Sequence, residues 1–252
     1  NNDIKFNHTD VASLEITWKF QDLTRSPSNL NFENITIANV VAGTSDTIAP
    51  TVSNGTISSS NVSATGVKLD WMKATDNATA QGDLEYRVYQ SSGNNINTVS
   101  NIEANGTALG SGFSKDIATF NITGLSPSTT YYFNVIVKDA AGNKSAYTTK
   151  QVTTLSNNAN LSNLQISSGT LLPAFSSGVT SYSATVPNGV SSIKITPTVA
   201  DSLSNLKVNG SSVVSGVGSN IPLNVGSNII AAIVTAQDGT TKTYTITVTR
   251  AA

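Results

Sequence analysis

Hydrophobic and polar residues alternate along this chain in short runs, separated by polar segments rich in glycine, serine and asparagine. For example, Val67, Leu69 and Trp71 alternate with Lys68 and Asp70. Because successive side chains of a strand point to opposite faces of a sheet, this alternation predicts a strand with one buried and one solvent-facing side. The pattern recurs along the chain, so we predict an all-β fold.

Residues 1–45 carry two such strand signals. The first strand is indicated by four alternating apolar residues, Leu14, Ile16, Trp18 and Phe20. The second is indicated by Ile35 and Ile37. Two or three strands do not bury a stable core of their own in water. We therefore expect this segment to be the terminal strands of a preceding β-sandwich, or an extension that packs on the next domain.

A linker with proline and small polar residues, 43–50, leads into a second unit that we assign to residues 46–155. Near its end, a turn through Pro127 reaches Tyr131 and continues into a strand with alternating apolar residues. In a sandwich corner of this type the tyrosine ring joins the core and its hydroxyl bonds to backbone upstream. The turn is therefore typical of a structural scaffold and carries no catalytic signal.

Several motifs make residues 46–155 resemble a bacterial fibronectin type III domain. They are Leu69-x-Trp71, Leu125-x-Pro127-x-Thr129-x-Tyr131, and the phrases DTIAP at 46–50, ATDN at 74–77 and KDAAGNKS at 138–145. The resemblance implies an immunoglobulin-like sandwich of the kind found beside catalytic domains in secreted bacterial polysaccharide-degrading enzymes and in cell-surface proteins.

Residues 158–252 have a different pattern. The phrases LSNLQISSGTL at 161–171, PAFS at 173–176 and YSATVP at 182–187 resemble a bacterial cadherin-like β-sandwich domain. That resemblance implies a second immunoglobulin-like sandwich, accessory to surface or carbohydrate-active proteins. Two long strand patterns flank Asp238 and Gly239 near the end, and this pair predicts a hairpin with a tight primed turn. The predicted fold is thus a tandem of sandwiches.

The composition excludes several classes of partner. Only 12% of the 252 residues are charged and the net charge is -1, so a basic surface for nucleic acid is not expected. The absence of cysteine removes disulfides, thiolate nucleophiles and thiolate metal sites. No apolar run approaches the roughly 20 residues that span a bilayer, so membrane insertion is not expected either.

The residues needed for catalysis are also scarce. His8 is the single histidine and lies in the N-terminal segment, which disfavours a Ser-His-Asp arrangement. Glycoside hydrolysis needs two convergent carboxylates. The glutamates, however, are spread over strands and turns: Glu15, Glu33, Glu85 and Glu103. We predict that this segment is not an enzyme.

Acidic and amide residues near the first junction form the clearest candidate site. In a fibronectin-like sandwich the turns that follow the Trp71 and Tyr131 strands emerge at the same end, beside the incoming linker. This placement gathers five oxygen-bearing side chains: Asp46, Asp76, Asn77, Asp139 and Asn143. Ca²⁺ prefers such oxygen ligands, so a calcium site is one interpretation. The other is that Asp76 and Asp139 cap their own turns through local backbone bonds.

Carbohydrate binding is the second candidate chemistry, because exposed aromatic rings can form a platform for sugars. The candidate residues are Trp18, Tyr89, Tyr132 and Tyr147. The three tyrosines are expected to be exposed, although outer-face tyrosines also occur in most fibronectin-like domains. Trp18 shares the buried face of its strand with Leu14 and Ile16, so a core position is its alternative.

These observations favour non-catalytic accessory or spacer modules of a secreted or cell-surface bacterial protein that degrades polysaccharide, such as a glycoside hydrolase or polysaccharide lyase. The implied partner is a covalently linked catalytic or binding domain of the same parent chain, with polysaccharide as a further partner. Two alternatives stay open. One is a carbohydrate-binding segment, and the other is a protein adhesion module, for which the sequence has no specific motif.

Overall fold

The computed structural model describes residues 46–252, and residues 49–252 form one compact unit. The strands predicted within residues 1–45, together with Trp18 and His8, lie outside the described part of the chain. The described residues form seventeen strands, a short helix and a 3-10 turn, which confirms the all-β fold class. None of the helical residues described belongs to a helix long and apolar enough to cross a membrane.

The first sandwich consists of nine strands and one helix, α1 (Val99–Asn105). The strands are β1 (Ile57–Ser60), β2 (Gly66–Trp71), β3 (Glu85–Ser91), β4 (Thr107–Ala108), β5 (Ser114–Lys115), β6 (Thr119–Thr123), β7 (Thr130–Lys138), β8 (Lys144–Ala146) and β9 (Lys150–Thr153). One sheet has the order β1-β2-β6. The other has the order β4-β3-β7-β8, with β5 paired to β3 and β9 paired to β7. All of these pairs are antiparallel.

The core of this sandwich lies between the two sheets, as the alternation predicts. Val67, Leu69 and Trp71 of β2 are buried and belong to the same cluster as Phe133 and Val135 of β7. The predicted tyrosine corner is confirmed, because the Tyr131 hydroxyl accepts a hydrogen bond of 2.9 Å from the Ser126 N–H. This bond fixes the path by which the chain crosses from one sheet to the other.

The segment between β3 and β6 adds a second, smaller core on the outer face of the β3-β7 sheet. Ile96 and Ile102 are fully buried there against Tyr89 and Ile136. Helix α1 starts at an N-cap, Thr98, whose hydroxyl accepts from the Asn101 N–H at 3.2 Å. The alternation of apolar residues that predicts the strands does not reveal this covered outer face, which only the structure shows.

The second sandwich has eight strands. They are β10 (Leu161–Ile166), β11 (Ser181–Val186), β12 (Ser192–Val199), β13 (Asn205–Val208), β14 (Ser211–Ser212), β15 (Ser219–Pro222), β16 (Gly226–Thr235) and β17 (Thr241–Arg250). One sheet has the order β10-β12-β15 and the other β11-β17-β16-β13-β14, with β11 and β17 parallel. The alternating Tyr244, Ile246 and Val248 of β17 are all buried in the core between the sheets.

The primed turn predicted at Asp238 and Gly239 of the β16–β17 hairpin is wrong. Gly239 has a positive φ of 91°, but Asp238 does not, whereas a primed two-residue turn needs it at both positions. The Gly239 N–H instead donates to the Ala236 carbonyl at 3.1 Å, and the Ala236 N–H donates to the Thr240 carbonyl at 2.8 Å. This is the longer hairpin loop in which glycine follows an ordinary turn. A turn with positive φ at both central residues does occur at Asn209 and Gly210, between β13 and β14.

Candidate functional site

The joint between the two sandwiches, residues 154–158, is held by hydrogen bonds to both of them. On the side of the first sandwich, the Leu155 N–H donates to the Ser63 carbonyl at 3.0 Å, and its carbonyl accepts from the Ser128 N–H at 3.2 Å. Both polar backbone groups of Leu155 are therefore bound to the first sandwich.

The next residue, Ser156, is bound to the second sandwich in the same way. Its N–H donates to the Gln237 side-chain oxygen at 3.0 Å, and its carbonyl accepts from the Asp238 N–H at 3.0 Å. A side-chain hydrogen bond from Ser156 and one from the Leu203 N–H lower the pKa of Asp201. The β16–β17 loop and the Asp201 turn thus both hold Ser156, which is only 2% exposed.

The buried Thr154 anchors the start of the joint. Its hydroxyl donates to the Ser126 carbonyl at 2.6 Å and accepts from the Thr129 N–H at 3.0 Å. On the other side, the Ser204 hydroxyl donates to the Asn158 carbonyl at 2.9 Å. Successive residues are thus bonded to opposite sandwiches, and no segment of free linker separates the two domains. Bending between Leu155 and Ser156 must disturb the bonds that their shared peptide group makes to both sandwiches.

Two acidic turns form the second feature. Asp76 follows β2, and its Oδ2 accepts from the N–H groups of Ala78 and Thr79 at 3.0 and 2.8 Å. Asp139 follows β7 and is 1% exposed. Its two oxygens accept from the N–H and the side-chain amide of Asn143 at 2.8 and 2.7 Å. Both aspartates therefore organise their own turns, as the capping interpretation predicts.

The structure also brings these two turns together. The Ala140 N–H donates to the Thr79 hydroxyl at 3.1 Å, and carboxylate oxygens of Asp76 and Asp139 lie within 4.8 Å of one another. The Asp76 Oδ1 is buried and has no hydrogen-bond partner among the described residues. Two carboxylates so close together repel each other when both are ionised, which a bound cation would relieve.

The two amide residues of the predicted site, Asn77 and Asn143, lie on the same two turns. Asn77 is exposed and Asn143 is half-buried beside Asp139. Thr51 and Thr75 form an antiparallel bridge, with N–H to carbonyl distances of 2.7 and 3.0 Å, so the entering chain runs beside the Asp76 turn. Asp46 accepts from the Ile48 N–H at 3.1 Å. Its participation with the other aspartates stays a prediction from the sequence.

The expected exposure of the candidate sugar-binding tyrosines is wrong for two of them. Tyr89 is 7% exposed, because the segment that contains Ile96 and Ile102 covers its side of the sheet. Tyr147 is 2% exposed, and its hydroxyl donates to the Met72 carbonyl at 2.5 Å. Burial also raises the pKa of Tyr147. Tyr132 is half-buried against the same smaller core, on the outer face of the β3-β7 sheet, to which Tyr89 belongs. Trp18 lies outside the described residues.

The two described glutamates do not converge on a common point. Glu85 pairs with Lys138 at 2.6 Å, directly opposite it on the β3–β7 ladder. Glu103 of α1 pairs with Lys144 at 2.5 Å. Each carboxylate is thus partnered by its own surface lysine, in an arrangement typical of outward-facing structural ion pairs.

Comparison with known protein families gives two matches. Residues 49–155 match the fibronectin type III domain, and residues 161–251 match the cadherin-like beta sandwich domain. The order of the two domains is the one that the sequence motifs predict, and both are non-catalytic types of domain.

Individual relatives share only segments with this chain. A protein of Evansella cellulosilytica with the provisional name of a membrane protein is 46% identical over 96 residues, which are 38% of this chain and 14% of that protein. Chitinase Chi52 of Paenibacillus xylanexedens is 39% identical over 114 residues, 45% of this chain and 18% of the chitinase. Endoglucanase B of Cellulomonas fimi is 40% identical over 101 residues, 40% of this chain and 8% of the endoglucanase.

The matched segments thus span less than a fifth of these relatives, which include polysaccharide-degrading enzymes. The family assignment itself rests on the two domain matches. Residues 49–155 belong to the fibronectin type III family, and residues 161–251 belong to the family of cadherin-like β-sandwich domains.

Proposed function

We propose that this chain is a rigid, non-catalytic spacer within a secreted or cell-surface bacterial protein that degrades polysaccharide. Its role is to hold a covalently linked catalytic or binding domain at a set distance and angle from the surface or substrate. The similarity to segments of a chitinase and an endoglucanase supports the setting. The joint supports the mechanism, because Leu155 and Ser156 are bonded to different sandwiches without an intervening free linker.

Small-angle scattering of the chain tests this mechanism by comparison with a variant that carries a short glycine-serine insert between Leu155 and Ser156. We expect the insert to increase the maximum dimension and to give the scattering signature of flexibly linked domains, because glycine-serine segments behave as random coils. The same insert in the exposed loop at Gly189 is the control and should leave the domain arrangement unchanged. Equal flexibility of the unmodified chain and the joint insert would contradict the spacer mechanism.

We also propose that Ca²⁺ binds at the acidic turns and stiffens the entry to the first sandwich. The supporting observation is the pair of close carboxylates, Asp76 and Asp139, together with the buried Oδ1 of Asp76 that has no hydrogen-bond partner among the described residues. Oxygen ligands of this kind suit Ca²⁺. The proposed ligand set also includes Asn77, Asn143 and Asp46. Asp46 is included because its position in the sequence predicts it.

Thermal unfolding with Ca²⁺ and with a chelator tests this proposal. A ligand that binds only the folded state raises its stability, and we expect the midpoint to rise by at least about 4 °C in saturating Ca²⁺. Asp139→Asn should abolish the rise. The control is Asp83→Asn, which removes a well-exposed carboxylate paired with Lys115 and should retain the rise. Identical midpoints of the unmodified chain with and without Ca²⁺ would exclude the site.

A further inference from the structure

A groove of about 600 Å³ opens on the second sandwich where its two sheets end. One wall is β15 and the other includes the hairpin of β13 and β14. Among the described strands, β15 pairs only with β12, and β14 pairs only with β13. The volume falls within the range of ordinary small-molecule sites. The groove is separate from both the joint and the acidic turns.

The lining of the groove is entirely uncharged and rich in amides and hydroxyls. Its polar side chains are those of Asn209, Ser211, Ser219, Asn220, Asn224 and Ser227, joined by Asn228. Ile229 adds an apolar side chain that is 71% exposed. An uncharged wall of hydrogen-bonding groups with an apolar patch offers no positive charge to balance a phosphate or a carboxylate, and it suits a neutral, polyhydroxylated ligand.

Hydrogen bonds hold both ends of the groove in place. Asn209 is bonded to β16 twice, since its N–H donates to the Ala231 carbonyl at 2.9 Å and its Oδ1 accepts from the Ala231 N–H at 2.9 Å. The Asn228 side chain closes the β15–β16 turn, accepting from the Asn224 N–H and donating to the Asn224 carbonyl, both at 2.8 Å. These walls are therefore formed before any ligand binds, which reduces the entropy lost on binding.

Several groups at the groove have no hydrogen-bond partner among residues 46–252. The side chains of Asn220, Ser211 and Ser227 make no hydrogen bond to other described residues, and all three are exposed. Asn209 uses only its side-chain oxygen in the bond to Ala231. Donors and acceptors therefore remain for a ligand on both sides of the groove.

A peptide strand fits this groove less well. Strand addition needs a continuous row of free backbone groups along an edge strand. Here β14 has two residues and β15 has four, and β15 ends at Pro222, which has no N–H to donate. The short edges and the amide side chains favour a sugar chain over a peptide.

We propose that this groove binds a segment of a neutral polysaccharide, with Asn220 and Asn209 as hydrogen-bonding residues on opposite walls. The groove lies in the second sandwich, away from every tyrosine considered for sugar binding. Only the choice of polysaccharide fragments as probes rests on the proposed function. The spacer mechanism is tested without a ligand, so either proposal can fail while the other stands.

Titration of the isotope-labelled chain with cellohexaose, chitohexaose and xylohexaose, followed by NMR, tests the proposal. We expect saturable shifts of backbone amides that line the groove with at least one of these neutral sugars, and none with acidic hexagalacturonate. Asn220→Ala should weaken binding about tenfold, as expected for the loss of one good hydrogen-bonding group.

The matched control is Asn205→Ala. Asn205 is another exposed asparagine, and it lies at the end of β13 that does not line the groove. It should bind as the unmodified chain does, and unchanged amide spectra away from the substitution show that each variant is folded. Absence of saturable shifts with every neutral sugar would overturn the proposal. So would preference for hexagalacturonate or for an extended threonine-valine peptide, or equal affinity of the Asn220→Ala variant.

Discussion

Tyr244→Ala is expected to lower the free energy of unfolding of the cadherin-like sandwich by about 4 kcal/mol, the typical loss for a large buried aromatic side chain. Tyr244 is fully buried in the core of this sandwich. Its hydroxyl accepts from the Leu161 N–H at 3.0 Å and donates to the Ser177 carbonyl at 2.9 Å. The substitution therefore leaves a cavity and an unpaired Leu161 N–H, while the Ser177 carbonyl still accepts from Lys242 at 2.6 Å. Urea denaturation followed by NMR signals of the second sandwich measures the loss.

Tyr244→Phe separates these two contributions. It keeps the ring and removes only the hydroxyl, which leaves the Leu161 N–H without its partner, so we expect a loss of about 1–3 kcal/mol. If Tyr244→Ala lost no more stability than Tyr244→Phe, the ring would contribute no packing, contrary to its burial.

Asn134→Ala is expected to destabilise the fibronectin type III sandwich by about 2–3 kcal/mol, because it leaves the buried Val135 N–H without a partner and removes one of the two hydrogen bonds to the Ile96 carbonyl. Asn134 has no solvent exposure. Its amide donates to the Ile96 carbonyl at 2.6 Å and its Oδ1 accepts from the Val135 N–H at 2.7 Å. The first of these bonds fastens the segment that covers Tyr89 to the sheet.

Amide hydrogen exchange provides a local measurement of the same change. In the Asn134→Ala variant, the amides of α1 and its flanking loops should exchange faster than in the unmodified chain, by a larger factor than those of β2. Asn94→Ala, an exposed position in the same segment, is the control and should leave exchange unchanged. Uniform acceleration in both sheets would show that the segment is not a separate cooperative unit.

The parts of the fold that follow a local rule could be predicted from the sequence. Alternation identifies the buried faces of β2 and β17, and the spacing from Pro127 to Tyr131 identifies the sandwich corner. Both depend on residues close together in the chain. The Asp238–Gly239 turn shows the limit of such rules, because the same two residues are compatible with two hairpin loops and the flanking register decides between them.

The smaller core on the outer face of the β3-β7 sheet could not be predicted, because its apolar residues follow no strand or helix period. Ile96 and Ile102 become core residues only through contact with Tyr89 and Ile136 on a sheet that is formed by other segments. The exposure assigned to Tyr89 was wrong for that reason. A tyrosine on the outer face of a strand is exposed only if nothing folds over that face.

The joint depends on long-range polar contacts in the same way. Its shortness is visible in the sequence, but Ser156 and Gln237 are 81 residues apart in the chain. A glutamine in a hairpin loop usually faces solvent, and no pattern distinguishes this one. The groove on the second sandwich is equally invisible in the sequence, since it arises where two sheets end.

The most direct test of the spacer mechanism is a distance measurement between the two sandwiches by double electron–electron resonance. The chain contains no cysteine, so Ser114→Cys and Thr243→Cys, at exposed positions of β5 and β17, would carry the only two spin labels. The joint predicts one narrow distance distribution, which broadens when the glycine-serine insert follows Leu155. A distribution in the unmodified joint as broad as that of the insert variant would contradict a rigid spacer.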